Sequence, residues 1–440
     1  MGSPTEASST TATQLARISW LSSQDPHQQF DCLMHHFTVA ALEECFHQLD
    51  GRKAVGLDGV SKAEYAAEGL EHHLQELVAR MKRMAYRPAP VRRVRIPKDG
   101  QPQATRPLGI SILEDKIVQR MVHRVLESIY EPVFLDCSYG FRPERGCHDA
   151  IRALRAHLYH EQVETVIDVD LAGYFDSISH VQLVEVLRQK IRDQRLLRYL
   201  QRMFKAGVLE AGELTMSEEG VPQGSICSPI LANVFAHEVI DTWITTMVQP
   251  RCVGRVALFR YADDLVICCQ DDRDAQRIRR ALPQRLGRYG LRLNEEKTRM
   301  VSFSKRAYAA QGQRAHFDFL GLTFYWGRSQ AGRVIPKVKT QGKRLRAKLA
   351  RVTQWARSIR NQQRLPVIWA IFCAKLRGHI QYYGMSFNLA AVRTFVWHAT
   401  AILFKWLNRR SQRRSFSWER FHRYIRLHPL PAVKVYHPLF

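Results

Sequence analysis

The chain has 440 residues, 45% of them hydrophobic, and a formal net charge of +25, which allows two or three domains and a large buried core. No long apolar span or secretory signal is present, which makes a membrane-surface role less attractive. Nine cysteines are scattered with no Cys-x-x-Cys pair, and neighbours Cys268 and Cys269 cannot face one metal from a strand; this excludes a zinc framework and fits reduced thiols in a cytosolic protein.

Residues 1–24 are rich in Ser, Thr and Ala, and the first 30 residues are expected to be flexible, with a helix across 17–36 as an alternative for the later part. Helical periodicity follows over 37–50 and 61–84, joined by the turn Gly56-Leu57-Asp58-Gly59. Residues 91–110 form a basic hairpin, with Lys98 and Arg106 on either side of a turn containing Gly and Pro.

Residues 163–170 are a β-rich run ending in Asp170, with Phe175 five positions later. Asp168 and Asp170 share one face of that strand, because side chains alternate with period two. Gln223 and Gly224 follow a proline turn and precede an apolar helix over 230–240. Residues 259–265 read Phe-Arg-Tyr-Ala-Asp-Asp-Leu, which places Asp263 and Asp264 at the tip of a tight hairpin between apolar strands. Adjacent carboxylates repel, and a divalent cation is the obvious compensation. Two-metal phosphoryl transfer needs carboxylates from separate strands converging on ions about 4 Å apart, a set that Asp170, Asp263 and Asp264 supply. Asp168, Asp176, Asp271, Asp272 and Asp274 have structural readings and stay outside it.

The charge is concentrated at one end. Residues 331–440 hold 23 Lys and Arg against Glu419 alone, while the preceding 330 residues hold 43 basic against 40 acidic side chains. A segment of that charge calls for a polyanion. Residues 341–360 read as a helix with a core stripe of Leu345, Leu349, Val352, Ala356 and Ile359, its other faces carrying Lys343, Arg344, Arg346, Lys348, Arg351 and Arg357 for phosphates. Solvated charge is the alternative for any one of them.

In order and spacing these blocks resemble the reverse transcriptase palm, in particular that of bacterial group II intron-encoded proteins. The resemblance is carried by residues 91–110, Ser138-Tyr139-Gly140-Phe141-Arg142-Pro143, Gly220-Val221-Pro222-Gln223-Gly224-Ser225, Ser228-Pro229-Ile230-Leu231-Ala232-Asn233, the Asp263-Asp264 hairpin, 290–298 and Phe319-Leu320-Gly321. It implies an α+β right-hand polymerase: fingers, a palm with an antiparallel sheet, a helical thumb and a basic helical C-terminal extension. The expected divisions are an N-terminal extension with fingers over 31–160, palm 161–330, thumb 331–388 and a DNA-binding extension 389–440.

By the same resemblance, Lys98 and Arg106 contact the triphosphate, and Gln223 and Gly224 support template and nucleotide. Phe175 is the steric gate against a 2′-hydroxyl, with a core phenylalanine as the competing reading; Lys297 is the general acid near pyrophosphate, or a solvated lysine on a helix. Residues 375–384 resemble the maturase thumb, so Arg377 joins Lys343, Arg344, Lys348 and Arg351 as RNA contacts, and Arg409 and Arg410 lie in a segment resembling the DNA-binding tail. Ser225 replaces a glycine common in the family and Cys227 a usually apolar residue, while Ala262 before the Asp pair fits the intron type better than the retroviral one. No Cys-framed endonuclease module precedes Phe440, so the resemblance is to the endonuclease-lacking, class C-like members.

The expected activity is therefore RNA-directed DNA synthesis with two Mg²⁺ ions, deoxynucleotides, a DNA primer or target and a structured intron RNA, together with splicing and retrohoming in a nucleoid-associated bacterial protein. The alternatives are a free-standing enzyme of defence or repair, and a non-catalytic splicing factor.

Overall fold

A computed structural model describes residues 4–98, 101–210, 213–216, 219–220, 224–312, 314–410 and 416–439. Of the described residues, 53% are helical and 17% are in strands or bridges. It divides into two compact units, one of Met1–Ile96, Thr105–Ala150 and Val169–Met300, the other of Pro97–Ala104, Ile151–Asp168 and Val301–Phe440.

The N-terminal region departs from expectation. Pro4–Gln24 is helix α1, which packs on α5 (Leu113–Tyr130). Thr11, Leu15, Ile18 and Ser22 are buried, spaced four, three and four apart, and the Ser22 hydroxyl donates to the Ile129 carbonyl at 2.6 Å. Half of this stripe is Thr and Ser, small enough to bury with a hydrogen bond, so composition suggested flexibility where period 3.6 produces a packed helix.

Helix α2 (Val39–Gln48) begins at the Thr38 cap. The single helix expected over 61–84 is two: α3 (Lys62–Ala67), opened by a Ser61–Glu64 capping box, and α4 (Leu70–Lys82), separated by Gly69 at φ 110°. Left-handed backbone there ends one helix and starts another. The strands β1 (Val91–Lys98) and β2 (Gln101–Ile110) join β4 (Val208–Glu210) and β5 (Glu213–Thr215) in a sheet of order β2-β1-β4-β5. Helix α5 carries the apolar centre of the first unit, with Ile117, Val118, Met121, Val125 and Leu126 fully buried against neighbours that include α2 and α9 (Ser228–Ala236).

Between these lie α6 (Cys147–His160), β3 (Thr165–Asp170), α7 (His180–Arg188) and α8 (Gln194–Phe204). After α9 the chain continues through π-helical turns, His237–Asp241 and Trp243–Val248, into the hairpin β6 (Val256–Tyr261) and β7 (Asp264–Cys269). Helix α10 (Asp272–Gly287) and β8 (Arg299–Ser302) follow, and the second sheet has order β6-β7-β3-β8.

The second unit contains α11 (Lys305–Gln311) and an antiparallel sheet of β9 (His316–Phe319), β10 (Leu322–Arg328) and β11 (Val334–Thr340), with Phe317, Phe324 and Trp326 in its core. Its helices are α12 (Gly342–Ile359), α13 (Leu365–Tyr383), α14 (Leu389–Leu407) and α15 (Trp418–Leu427). Val352, Ala356 and Ile359 of the expected α12 stripe are buried, while Leu345 and Leu349 are half-buried. Among the described residues no helix is long and apolar enough to cross a membrane.

Burial holds three imidazoles of the first unit, His36, His123 and His237, at about 4, below the ordinary 6.5. Their stabilisation is complete above pH 6.5 and is lost as pH falls towards 4, because the unfolded chain then binds protons that the fold refuses. Burial moves Asp115 the other way, to about 6, so its share is complete below 3.8 and is lost as pH rises through 6. Acidification from pH 6.5 to 5 is expected to cost on the order of 2 kcal/mol per histidine, against about 1 kcal/mol regained at Asp115. A urea midpoint lower at pH 5 than at pH 7 checks this; an equal or higher midpoint contradicts it.

Candidate active site

The hairpin β6–β7 pairs Tyr261 with Asp264 and Arg260 with Leu265, leaving Ala262 and Asp263 as its two-residue turn. Ala262 has φ 57°, the positive-φ conformation that such a turn needs and that is uncommon for a residue carrying a Cβ. In β7, Leu265, Val266, Ile267, Cys268 and Cys269 are all buried, a strand covered on both faces. Burial pushes the Cys269 thiol up to about 12 and Cys268 well above its ordinary value, so neither offers a thiolate. Asp263 is half-buried and Asp264 exposed.

Asp170 ends β3, the neighbour of β7 in the sheet. The segment 290–298 is bound to that strand end: Asn294 N–H donates to the Asp170 carbonyl at 2.8 Å, Asp170 N–H donates to Thr298 Oγ1 at 3.2 Å, and Leu171 bridges Leu293. This brings Lys297 Nζ to 3.3 Å from Asp170 Oδ2, on a turn and not the helix weighed above. Phe175 is half-buried beside Tyr174, whose hydroxyl donates to the Ala232 carbonyl at 2.6 Å. Burial drives the Tyr174 phenol far above its ordinary value, with Asp241 and Asp263 pushing the same way.

Lys98 and Arg106 fall on β1 and β2, but their side chains, like the whole of Gln223, lie outside the described residues. Gly224 has φ 108°, and a Cβ there would sit 2.5 Å from the Gly109 carbonyl oxygen. The close approach that requires glycine is thus to the end of β2 within the protein itself. Among the described residues no group of three or more His, Cys, Asp or Glu is gathered into a cage. The carboxylates at the ends of β3 and β7 are hard oxygen donors, and Mg²⁺ is ordinarily held by one or two carboxylates completed by water and substrate phosphates, so this donor set fits such an ion.

The motif reading missed the side chain that ties the hairpin down. Arg260 is fully buried, and its five N–H donors are all satisfied: Nε and one NH2 proton by Asp241 Oδ1 and Oδ2 at 2.7 and 2.6 Å, the other NH2 proton by Ser138 Oγ at 2.6 Å, and NH1 by Asn233 Oδ1 at 3.0 Å and the Ala262 carbonyl at 3.2 Å. Burial opposes its charge, and Asp241 more than offsets that, holding the guanidinium above its ordinary value. Arg260 N–H donates to the Cys137 carbonyl, Tyr139 N–H donates to the Arg260 carbonyl, and Asn233 Nδ2 donates to the Gly140 carbonyl at 2.6 Å. The Ser138–Gly140 segment is so close that a Cβ on Gly140 would meet Ala262 N at 2.4 Å. The available signal was a lone arginine in the otherwise apolar run Val256-Ala257-Leu258-Phe259 to Tyr261.

In the second unit Lys343, Arg344, Arg351, Arg377 and Arg409 are exposed. Lys348 is half-buried with Nζ 4.5 Å from the Tyr383 ring centre. Arg410 donates to the carbonyls of Arg360 and Gln363, both at 2.5 Å, and so staples the chain just past α12.

Residues 96–324 match the reverse transcriptase (RNA-dependent DNA polymerase) family. The chain is 35% identical over 227 residues to Group II intron-encoded protein LtrA of Lactococcus lactis subsp. cremoris, covering 51% of this chain and 37% of that one. It is 35% identical over 280 residues to Protein YkfC of Escherichia coli strain K12, covering 57% and 73%. It is 37% identical over 174 residues to an uncharacterized 91 kDa protein in the cob intron of Schizosaccharomyces pombe, covering 40% and 21%. The chain thus spans well under half the length of the Lactococcus protein. The family match over residues 96–324 and these alignments establish that the chain belongs to the reverse transcriptase (RNA-dependent DNA polymerase) family, alongside its group II intron-encoded members.

Proposed function

We propose that this chain extends a DNA primer along an RNA template and binds a structured intron RNA as a maturase. The observation that carries the reading is the placement of Asp170 at the end of β3, Asp264 at the start of the neighbouring β7 and Asp263 in the turn between β6 and β7. In this reading the first 160 residues contain the fingers, 161–330 are the palm, 331–388 the thumb and 389–440 a basic extension.

Asp170, Asp263 and Asp264 would hold two Mg²⁺ ions. When bound, such ions activate the primer 3′-hydroxyl and neutralise charge on the departing pyrophosphate. Lys297, whose Nζ lies 3.3 Å from Asp170 Oδ2, hands a proton to that leaving group in this reading. Lys98 and Arg106 bind the triphosphate from the β1–β2 hairpin, and Gln223 and Gly224 support template and nucleotide. The half-buried ring of Phe175 presents bulk where a 2′-hydroxyl would enter.

The exposed cations of α12 and α13 supply the phosphate contacts, and Lys348, Arg409 and Arg410 extend that surface. Neutralising Lys343 and Arg344 together is expected to weaken RNA binding and to flatten the slope of log affinity against log salt by roughly 0.7 to 0.9 per lost contact. Filter binding between 50 mM and 200 mM salt reads the slope; an unchanged slope removes these residues from the interface.

The test of the whole reading is primer extension by the purified chain with Mg²⁺, deoxynucleotides and an RNA template. DNA product is expected. Failure on every template, with intron RNA still spliced in its presence, would replace the polymerase with an RNA-binding splicing factor.

A further inference from the structure

We infer that Arg260 and Asp241 form a positioning pair for the catalytic turn: the buried guanidinium, anchored by Asp241, holds the Ala262 carbonyl and so sets the direction in which Asp263 and Asp264 leave the hairpin. The inference rests on the polymerase reading of those two aspartates and deepens it.

The turn needs such a device. Ala262 is a non-glycine residue at φ 57°, a conformation that persists only where its surroundings impose it. They impose it from both sides. Gly140 presses on its N–H face, where no Cβ can fit, and Arg260 NH1 binds its carbonyl at 3.2 Å. Rotation of the Ala262–Asp263 peptide breaks the second contact, so the direction of both carboxylates is coupled to the guanidinium. That guanidinium cannot swing away, because its four other donors are fixed by Asp241, Ser138 and Asn233.

The helix that supplies the anchor is built for this purpose. Asn233 lies on α9 and Asp241 eight residues on. An unbroken α-helix would place residues eight apart roughly 80° round the axis. The stretch His237–Asp241 is instead π-helical, and its wider turns rotate less per residue, which brings Asp241 under Asn233 so that both accept from one guanidinium. The other titratable groups facing the pair are His237, whose Nδ1 is 3.9 Å from Asp241 Oδ2, with Tyr174 and Cys137 near Arg260.

A pair that serves stability alone can be replaced by apolar side chains of similar volume without loss of fold. The test is the double variant Arg260→Met with Asp241→Leu, in the full chain, measured for thermal unfolding, primer–template affinity and single-nucleotide incorporation as a function of Mg²⁺. Cooperative unfolding at a lower temperature is expected, because Ser138 Oγ, Asn233 Oδ1 and the Ala262 carbonyl lose their donor, together with affinity near wild type, kcat lowered ~100-fold and a raised half-saturating Mg²⁺, as for a misplacement of about 1 Å. Asp241→Asn, which keeps the shape and an acceptor, gives the second reading, with the same direction and a smaller effect. Wild-type kcat and Mg²⁺ dependence in either folded variant would overturn the positioning role. Absence of incorporation by the wild type itself would overturn the polymerase reading instead.

Discussion

Replacing Asp264 by alanine is expected to lower RNA-templated incorporation roughly 10³-fold, the equivalent of about 4 kcal/mol of transition-state stabilisation. The residue is exposed at the first position of β7, so its removal opens no core cavity, and stability is expected to stay within ~0.5 kcal/mol. Primer–template affinity should persist, because the cations proposed to bind nucleic acid lie far along the chain from this turn. Single-turnover rates and equilibrium binding on one preparation separate the two. A variant that binds and incorporates like the wild type would remove Asp264 from the chemistry.

Gly140→Ala is the second large effect, and it acts through backbone. The added methyl would lie 2.4 Å from Ala262 N and 3.1 Å from the Tyr261 carbonyl carbon, neither of which is a flexible side-chain end. Relief requires the Ser138–Gly140 segment or the hairpin to shift, and both are fastened to Arg260. Overpacking of this kind costs about 1–3 kcal/mol, and the displaced turn is expected to lose activity ~100-fold. Gly287→Ala is the control: a Cβ there meets nothing within 4 Å at the end of α10, and the change should stabilise by about 0.4–1 kcal/mol. Equal behaviour of the two variants in urea unfolding and primer extension would contradict the account.

Much of this was legible in the sequence because its signals are local. The short apolar runs on either side of Asp263 and Asp264 gave the hairpin, and the β-rich run ending at Asp170 gave its neighbouring strand. The α12 stripe placed Val352, Ala356 and Ile359 in the core correctly, but Leu345 and Leu349 stay half-exposed near the helix start. Composition misled at α1, where Thr11 and Ser22 occupy core positions that a polar tally counts as solvent.

What escaped was non-local. Arg260 and Asp241 are each an ordinary charge in the sequence, and only the fold makes them one buried unit with Asn233 and Ser138. The π-helical turn that aligns Asp241 has no residue signature. The same holds for Gly140 and Gly224, where a Cβ would meet the protein's own backbone at residues far away in the sequence. Arg410, expected on nucleic acid, gives two of its five donors to carbonyls beyond α12, a staple that the sequence did not show.

The most direct measurement is incorporation of one deoxynucleotide opposite an RNA template by the wild type and by Asp170→Ala, at equal occupancy of primer–template. The wild type is expected to give a product one nucleotide longer, and the variant none above background. Equal product from both would contradict this expectation.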